Sequence, residues 1–122
     1  PTLNKGDWVI SDRFCGSTLA YQGYGRKLDI KLIKDLENIA TQGLSPDITF
    51  LLDIPVEESI KRRLNKKDDR IEKEGKEFLS NVSLGFQALS KNNNWKKISA
   101  INSKEKISLE IQSEIMKLIK NK

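Results

Sequence analysis

Arg13, Ser17, Thr18, Tyr21 and Gln22 lie close together in the run S-D-R-F-C-G-S-T-L-A-Y-Q-G-Y-G-R, which begins at Ser11. A guanidinium can grip a phosphate through two parallel hydrogen bonds. Hydroxyl and amide groups both donate and accept, so they can read the edge of a polar ring. Together these residue types suit a site for a nucleoside monophosphate. A second charged run, K-R-R-L-N-K-K-D-D-R at 61–70, is rich in cations. On its own such a charge run reads as a solvated surface. The chain has no histidine and a single cysteine, Cys15. Histidine-based catalysis, histidine metal sites and an intrachain disulfide are therefore excluded. With no histidine to activate it, Cys15 is expected to pack rather than attack.

The elements that must position these groups follow from the apolar pattern. Trp8 to Ser11 reads as a short buried strand that delivers Asp12 and Arg13 to a loop. In open α/β sheets, ligands bind at such carboxyl ends. Residues 17–22 suit a helical turn, and Gly23 and Gly25 suit a tight turn after it. Residues 28–42 form an amphipathic pattern through Leu32, Ile33, Leu36, Ile39 and Ala40. Ile48 to Leu52 is a continuous apolar run, as in a parallel strand covered on both faces. Pro55 opens a helix that reaches Arg63 or Leu64, and 65–69 reads as an exposed loop. A long helix from about Ile71 to Ser90 has the stripe Ile71, Phe78, Leu79, Val82, Phe86 and Leu89, interrupted by Gly75 and Gly85. Trp95 to Ser99 is a strand, and Ser103 to Lys120 a closing helix. Alternating strands and helices predict a parallel α/β sheet in a single domain.

In order and spacing, these pieces resemble thymidylate kinase of the bacterial type. P-T-L-N-K-G at 1–6 resembles that family's lead-in, followed by D-R-F, then S-T-L-A-Y-Q-G-Y-G-R. G-L-S-P-D-I-T-F-L-L-D at 43–53, P-V-E at 55–57 and D-R-I-E at 69–72 come next. The resemblance covers essentially the whole chain. It implies a P-loop kinase-like three-layer α/β fold that transfers a phosphoryl group from ATP, with Mg2+, to dTMP, giving dTDP for dTTP biosynthesis. It also implies a homodimer in the cytoplasm. By the same resemblance, Arg13 meets the acceptor phosphate, and Asp12 orients it or lies near the metal. Ser17, Thr18, Tyr21, Gln22 and Asp69 form the dTMP side, with Tyr21 beside the deoxyribose. The lid would span about 61–70. Arg62 and Arg63 would touch adenine, and Lys66, Lys67 and Arg70 would approach the phosphates. Ala100 and Asn102 belong to a loop that resembles the family's adenine-contacting loop. The lid is about one residue shorter than the family's. Lys66 and Lys67 stand where an arginine is expected, and lysine is a point charge without arginine's planar fork.

No G-x-x-x-x-G-K-[ST] motif occurs anywhere, so no loop of this chain can cradle ATP phosphates in the usual way. The family's central P-loop strand is missing, and the chain corresponds to a C-terminal portion, expected to be inactive alone. The rival readings are a deoxynucleoside kinase of the same superfamily, or a noncatalytic binding module. The net charge of +5 suits phosphate ligands but implies no specific nucleic-acid partner. No apolar run approaches the roughly 20 residues that a membrane span requires.

Overall fold

Five α-helices and two strands follow one another in a computed structural model that describes residues 1–64 and 73–121. A short 3-10 turn at Leu3–Lys5 precedes α1 (Cys15–Thr18). The chain continues without a break into a π-helical turn, Leu19–Gly25. Next come α2 (Ile30–Thr41), β1 (Thr49–Asp53), α3 (Val56–Leu64), α4 (Lys73–Leu89), β2 (Trp95–Ser99) and α5 (Lys104–Lys120). The architecture is α/β, with a small parallel sheet.

Local chemistry explains several boundaries. Asp29 caps α2, its carboxylate accepting from the Lys31 and Leu32 amides at 3.0 and 3.4 Å. The helix ends where Gln42 and Gly43 turn left-handed, at φ 55° and 77°. Ser103 caps α5 by accepting from the Lys106 amide at 3.2 Å. β1 and β2 pair in parallel, in register from Thr49 opposite Trp95 to Asp53 opposite Ser99. A parallel pair needs a long crossover, which α3 and α4 help provide.

The core centres on Leu19, Ala20, Ile33, Val82 and Ile98. Its tightest packing lies between the π-turn and α4. A Cβ on Gly85 would come within 2.7 Å of the Tyr24 ring, and one on Gly25 within 2.6 Å of Phe78. Gly16 receives the Trp95 ring in the same way. Gly85, expected to interrupt the α4 stripe, is therefore a contact point. Gly23 and Gly25 belong to the π-turn rather than to a tight turn, and serve close helix approach.

Three sequence expectations are overturned. Trp8 to Ser11 is neither a strand nor buried, and Ile10 is 92% exposed. An extended apolar run becomes a strand only when a neighbour accepts its backbone hydrogen bonds. Among the described residues, β1 pairs with β2 alone. The apolar face of α2 is also mostly uncovered: Ile33 is buried, but Leu32, Leu36 and Ile39 are exposed. Among the described residues the π-turn packs on that helix, through Gly23 against Ile30 and Ile33. Finally, β1 is not covered on both faces, since Leu52 is 51% exposed.

Candidate functional site

Arg13 sits in left-handed backbone, at φ 68°. That region costs an ordinary L-residue roughly 1–2 kcal/mol. The Ser11 hydroxyl donates to the Arg13 carbonyl at 2.9 Å and helps to fix the bend. The bend lays the guanidinium over the Tyr21 ring, 5.5 Å from its centroid. Asp12 makes no ion pair with Arg13 among the described residues, so the arginine is positioned by backbone and ring rather than by the neighbouring carboxylate. A backbone outlier on an exposed cation fits a residue held for a ligand.

Tyr21 is half-buried and fixed from behind. Its ring lies 6.1 Å from Phe78, tilted by 54°, and 6.1 Å edge-on from Phe86, both on α4. Ser17 and Thr18 are half-buried within α1 and do not cap it; the N-cap is Phe14, in extended backbone. Gln22 lies in the π-turn, where its carbonyl accepts from the Leu28 amide at 3.0 Å. The Arg26 amide donates to the Tyr21 carbonyl at 3.0 Å, an i→i+5 bond that widens this turn. The structure thus brings Arg13 onto Tyr21 and places Ser17, Thr18 and Gln22 on the same continuous helical stretch.

Cys15 opens that stretch. Its thiol donates to a Glu37 carboxylate oxygen at 3.1 Å. Burial, then the hydrogen bond and negative charge of Glu37, push the thiol pKa up to about 11. It is a protonated packing group near neutral pH, as its lack of a histidine partner suggested.

A second group forms where β1 and β2 end. The Arg62 guanidinium donates to the Ala100 carbonyl at 3.3 Å and pairs with Glu58, one helical turn back, at 3.4 Å. Arg62 and Ala100 come from the two sequence regions assigned to the nucleotide side, and they meet. Arg63 is half-buried, Asn102 lies in the bend that leads to α5, and neither side chain has a hydrogen bond among the described residues. Lys66, Lys67, Asp69 and Arg70 lie outside the described residues, so most of the expected lid is beyond the site described.

Sequence reasoning missed three connections. Arg62 reaches a carbonyl 38 positions away, which no local pattern announces. Its pairing with Glu58 has the i,i+4 spacing and was legible. Asp53 accepts from the Gln87 amide at 2.7 Å, and the Gln87 oxygen accepts from Lys97 at 2.9 Å. This chain of bonds gives Asp53 a structural role at the strand end. Among the described residues, no group of three Cys, Asp or Glu side chains could hold a metal ion, and no helix is long and apolar enough to cross a membrane.

Comparison with known proteins agrees with the ordered motifs. A family model described as Thymidylate kinase matches residues 1–111. The chain is 84% identical over 122 residues to the thymidylate kinase of Prochlorococcus marinus strain NATL2A, covering 100% of this chain and 58% of that protein. It is 53% identical over 116 residues to the thymidylate kinase of Parasynechococcus marenigrum, covering 95% of this chain and 56% of the relative. With the thymidylate kinase of a Synechococcus strain it shares 57% identity over 108 residues, covering 88% and 52%. The chain thus spans little more than half the length of the curated relatives it matches.

Proposed function

Since this chain belongs to the thymidylate kinase family, we propose that it works as part of a longer enzyme that transfers the γ-phosphoryl of ATP to dTMP, giving dTDP and ADP. The observation that carries the reading is Arg13, strained into position over Tyr21 at the head of the S-T-x-A-Y-Q-G-x-G-R stretch. Arg13 grips the acceptor phosphate in this reading, with Asp12 beside it. Ser17, Thr18 and Gln22 read the pyrimidine, and Tyr21 lies beside the deoxyribose, joined by Asp69.

The link between Arg62 and Ala100 supports a nucleotide side at the strand ends. Arg62, Arg63 and the loop with Ala100 and Asn102 receive adenine. Lys66, Lys67 and Arg70 bring positive charge over the transferring group when the lid closes and excludes water. Mg2+ accompanies ATP; the described residues offer no cluster that fits it, and the roles assigned to this chain require none. The enzyme acts as a homodimer in the cytoplasm. The ATP phosphate cradle comes from outside these 122 residues, because no phosphate-binding loop motif occurs within them.

The test is steady-state phosphoryl transfer by the full-length enzyme with dTMP or thymidine as acceptor. Formation of dTDP from dTMP, with thymidine untouched, is expected. Phosphorylation of thymidine in preference to dTMP would replace this reading with a deoxynucleoside kinase.

A further inference from the structure

We propose that Arg26 is a second phosphate-binding arginine of the acceptor site, held ready like Arg13 on an aromatic platform made by Tyr21 and Phe78. The proposal rests on the dTMP reading and deepens it. Arg13 lies 5.5 Å from the centroid of Tyr21, and Arg26 lies 5.8 Å from that of Phe78. The two rings touch, with centroids 6.1 Å apart. Each guanidinium therefore sits on one of two adjoining rings. Among the described residues, neither makes an ion pair with a carboxylate. Two guanidiniums on adjoining rings, neither with a counter-ion, favour an incoming anion. A phosphate monoester carries about −1.5 to −2 charges at pH 7 and can accept from both.

The sequence builds this platform through the π-turn. The i→i+5 bond from the Arg26 amide to the Tyr21 carbonyl stacks residue 26 next to residue 21. An α-helical turn would bond residue 25 to residue 21 instead. Gly25 has no side chain, so the Phe78 ring can lie against the backbone just before Arg26, where a Cβ would meet it at 2.6 Å. Phe86 supports Tyr21 edge-on from the same helix. A ring beneath a guanidinium keeps it oriented without neutralising its charge, so its N–H donors remain free for oxygen.

Binding of dTMP and of thymidine to the full-length enzyme separates phosphate recognition from nucleoside recognition. Arg26→Ala is expected to weaken dTMP roughly 10- to 100-fold, the loss typical of a charge-assisted hydrogen bond, while thymidine affinity stays within about twofold. Phe78→Leu is expected to weaken dTMP roughly 3- to 10-fold by removing the platform, and Phe78→Tyr to restore it. Arg26 is exposed, so its replacement leaves the core intact. If Arg26→Ala changes neither ligand, or both alike, while Arg13→Ala weakens dTMP selectively, Arg26 is not a phosphate ligand and the proposal is overturned. If Arg13→Ala also leaves dTMP binding unchanged, the acceptor-site reading itself falls, and the proposal with it.

Discussion

The π-turn Leu19–Gly25 and the run Trp8–Ile10 flank the same arginine, and both are rich in apolar and aromatic residues. One is packed against α4 so closely that Gly25 receives the Phe78 ring and Gly85 of α4 receives that of Tyr24. The other is exposed along its length. The difference lies in backbone hydrogen bonding. A helical turn satisfies its own amides and needs only a surface to pack on, which α4 supplies. An extended run has to borrow its partners from another strand. Arg13 is thus anchored by the packed side, through Tyr21, and approached by the uncovered side. The candidate site is a packed half joined to a segment with no partner strand among the described residues.

The largest expected effect comes from taking this half alone. We predict that the purified 122-residue chain forms no dTDP above a mock preparation, because it has no phosphate-binding loop. Measurable turnover would break the division into an acceptor half and a separate phosphate cradle.

Substitutions in the proposed lid can separate binding from chemistry. If Lys66 and Lys67 meet charge that develops during transfer, replacing both with alanine should lower kcat by about 100-fold, the loss typical of one transition-state donor. Replacing Arg62, which bonds the Ala100 carbonyl, should instead raise the KM for ATP, since it acts on binding. An unchanged kcat in the double variant would move the catalytic role to Arg70.

Stability measurements compare the two flanks directly. Gly85→Ala forces a methyl into the Tyr24 ring and should destabilise the full-length enzyme by roughly 1–3 kcal/mol in urea unfolding. Ile10→Ser, tested in the isolated chain where residue 10 is uncovered, should change stability by less than about 0.5 kcal/mol. A large loss at position 10 would mean that Trp8–Ile10 is packed after all.

Cys15 gives a smaller, pH-dependent readout at the edge of the packed stretch. Its pKa is raised from 9.0 to about 11, so thiolate is about 100-fold scarcer below pH 9. A more basic thiolate is also more nucleophilic, which offsets about half of that on a logarithmic scale. Alkylation by iodoacetamide at pH 8 should therefore run about tenfold slower than for an ordinary cysteine. Because the charge and hydrogen bond of Glu37 both raise the pKa, Glu37→Gln should speed the reaction. An alkylation rate matching free cysteine would show that the thiol is not held in this way.

Much of the helical framework was legible because its signals are local. The Asp29 and Ser103 caps and the left-handed exit at Gly43 all lie within a turn of the boundaries they set. β1 was also visible as a short apolar run, and β2 was expected at the residues where it forms. Burial was harder to read, because it depends on what lies across from a residue. Trp8–Ile10 and most of the α2 stripe have core-like sequence but no covering surface among the described residues. Gly25 and Gly85 looked like turn or breaker residues because the rings that meet them are far away in sequence. At the site, the cluster of residue types was legible, but the stacking of Arg13 on Tyr21 and the reach of Arg62 to Ala100 required the fold.

The central claim is that Arg13, fixed by the packed flank, holds the acceptor phosphate. Its most direct test is kcat/KM for dTMP in the full-length enzyme with Arg13→Ala, with the KM for ATP measured alongside. Losing one charge-assisted phosphate contact should cost about 2–4 kcal/mol, or roughly 30- to 1,000-fold in kcat/KM for dTMP, with the ATP constant little changed. A near-normal kcat/KM for dTMP in that variant would contradict the account.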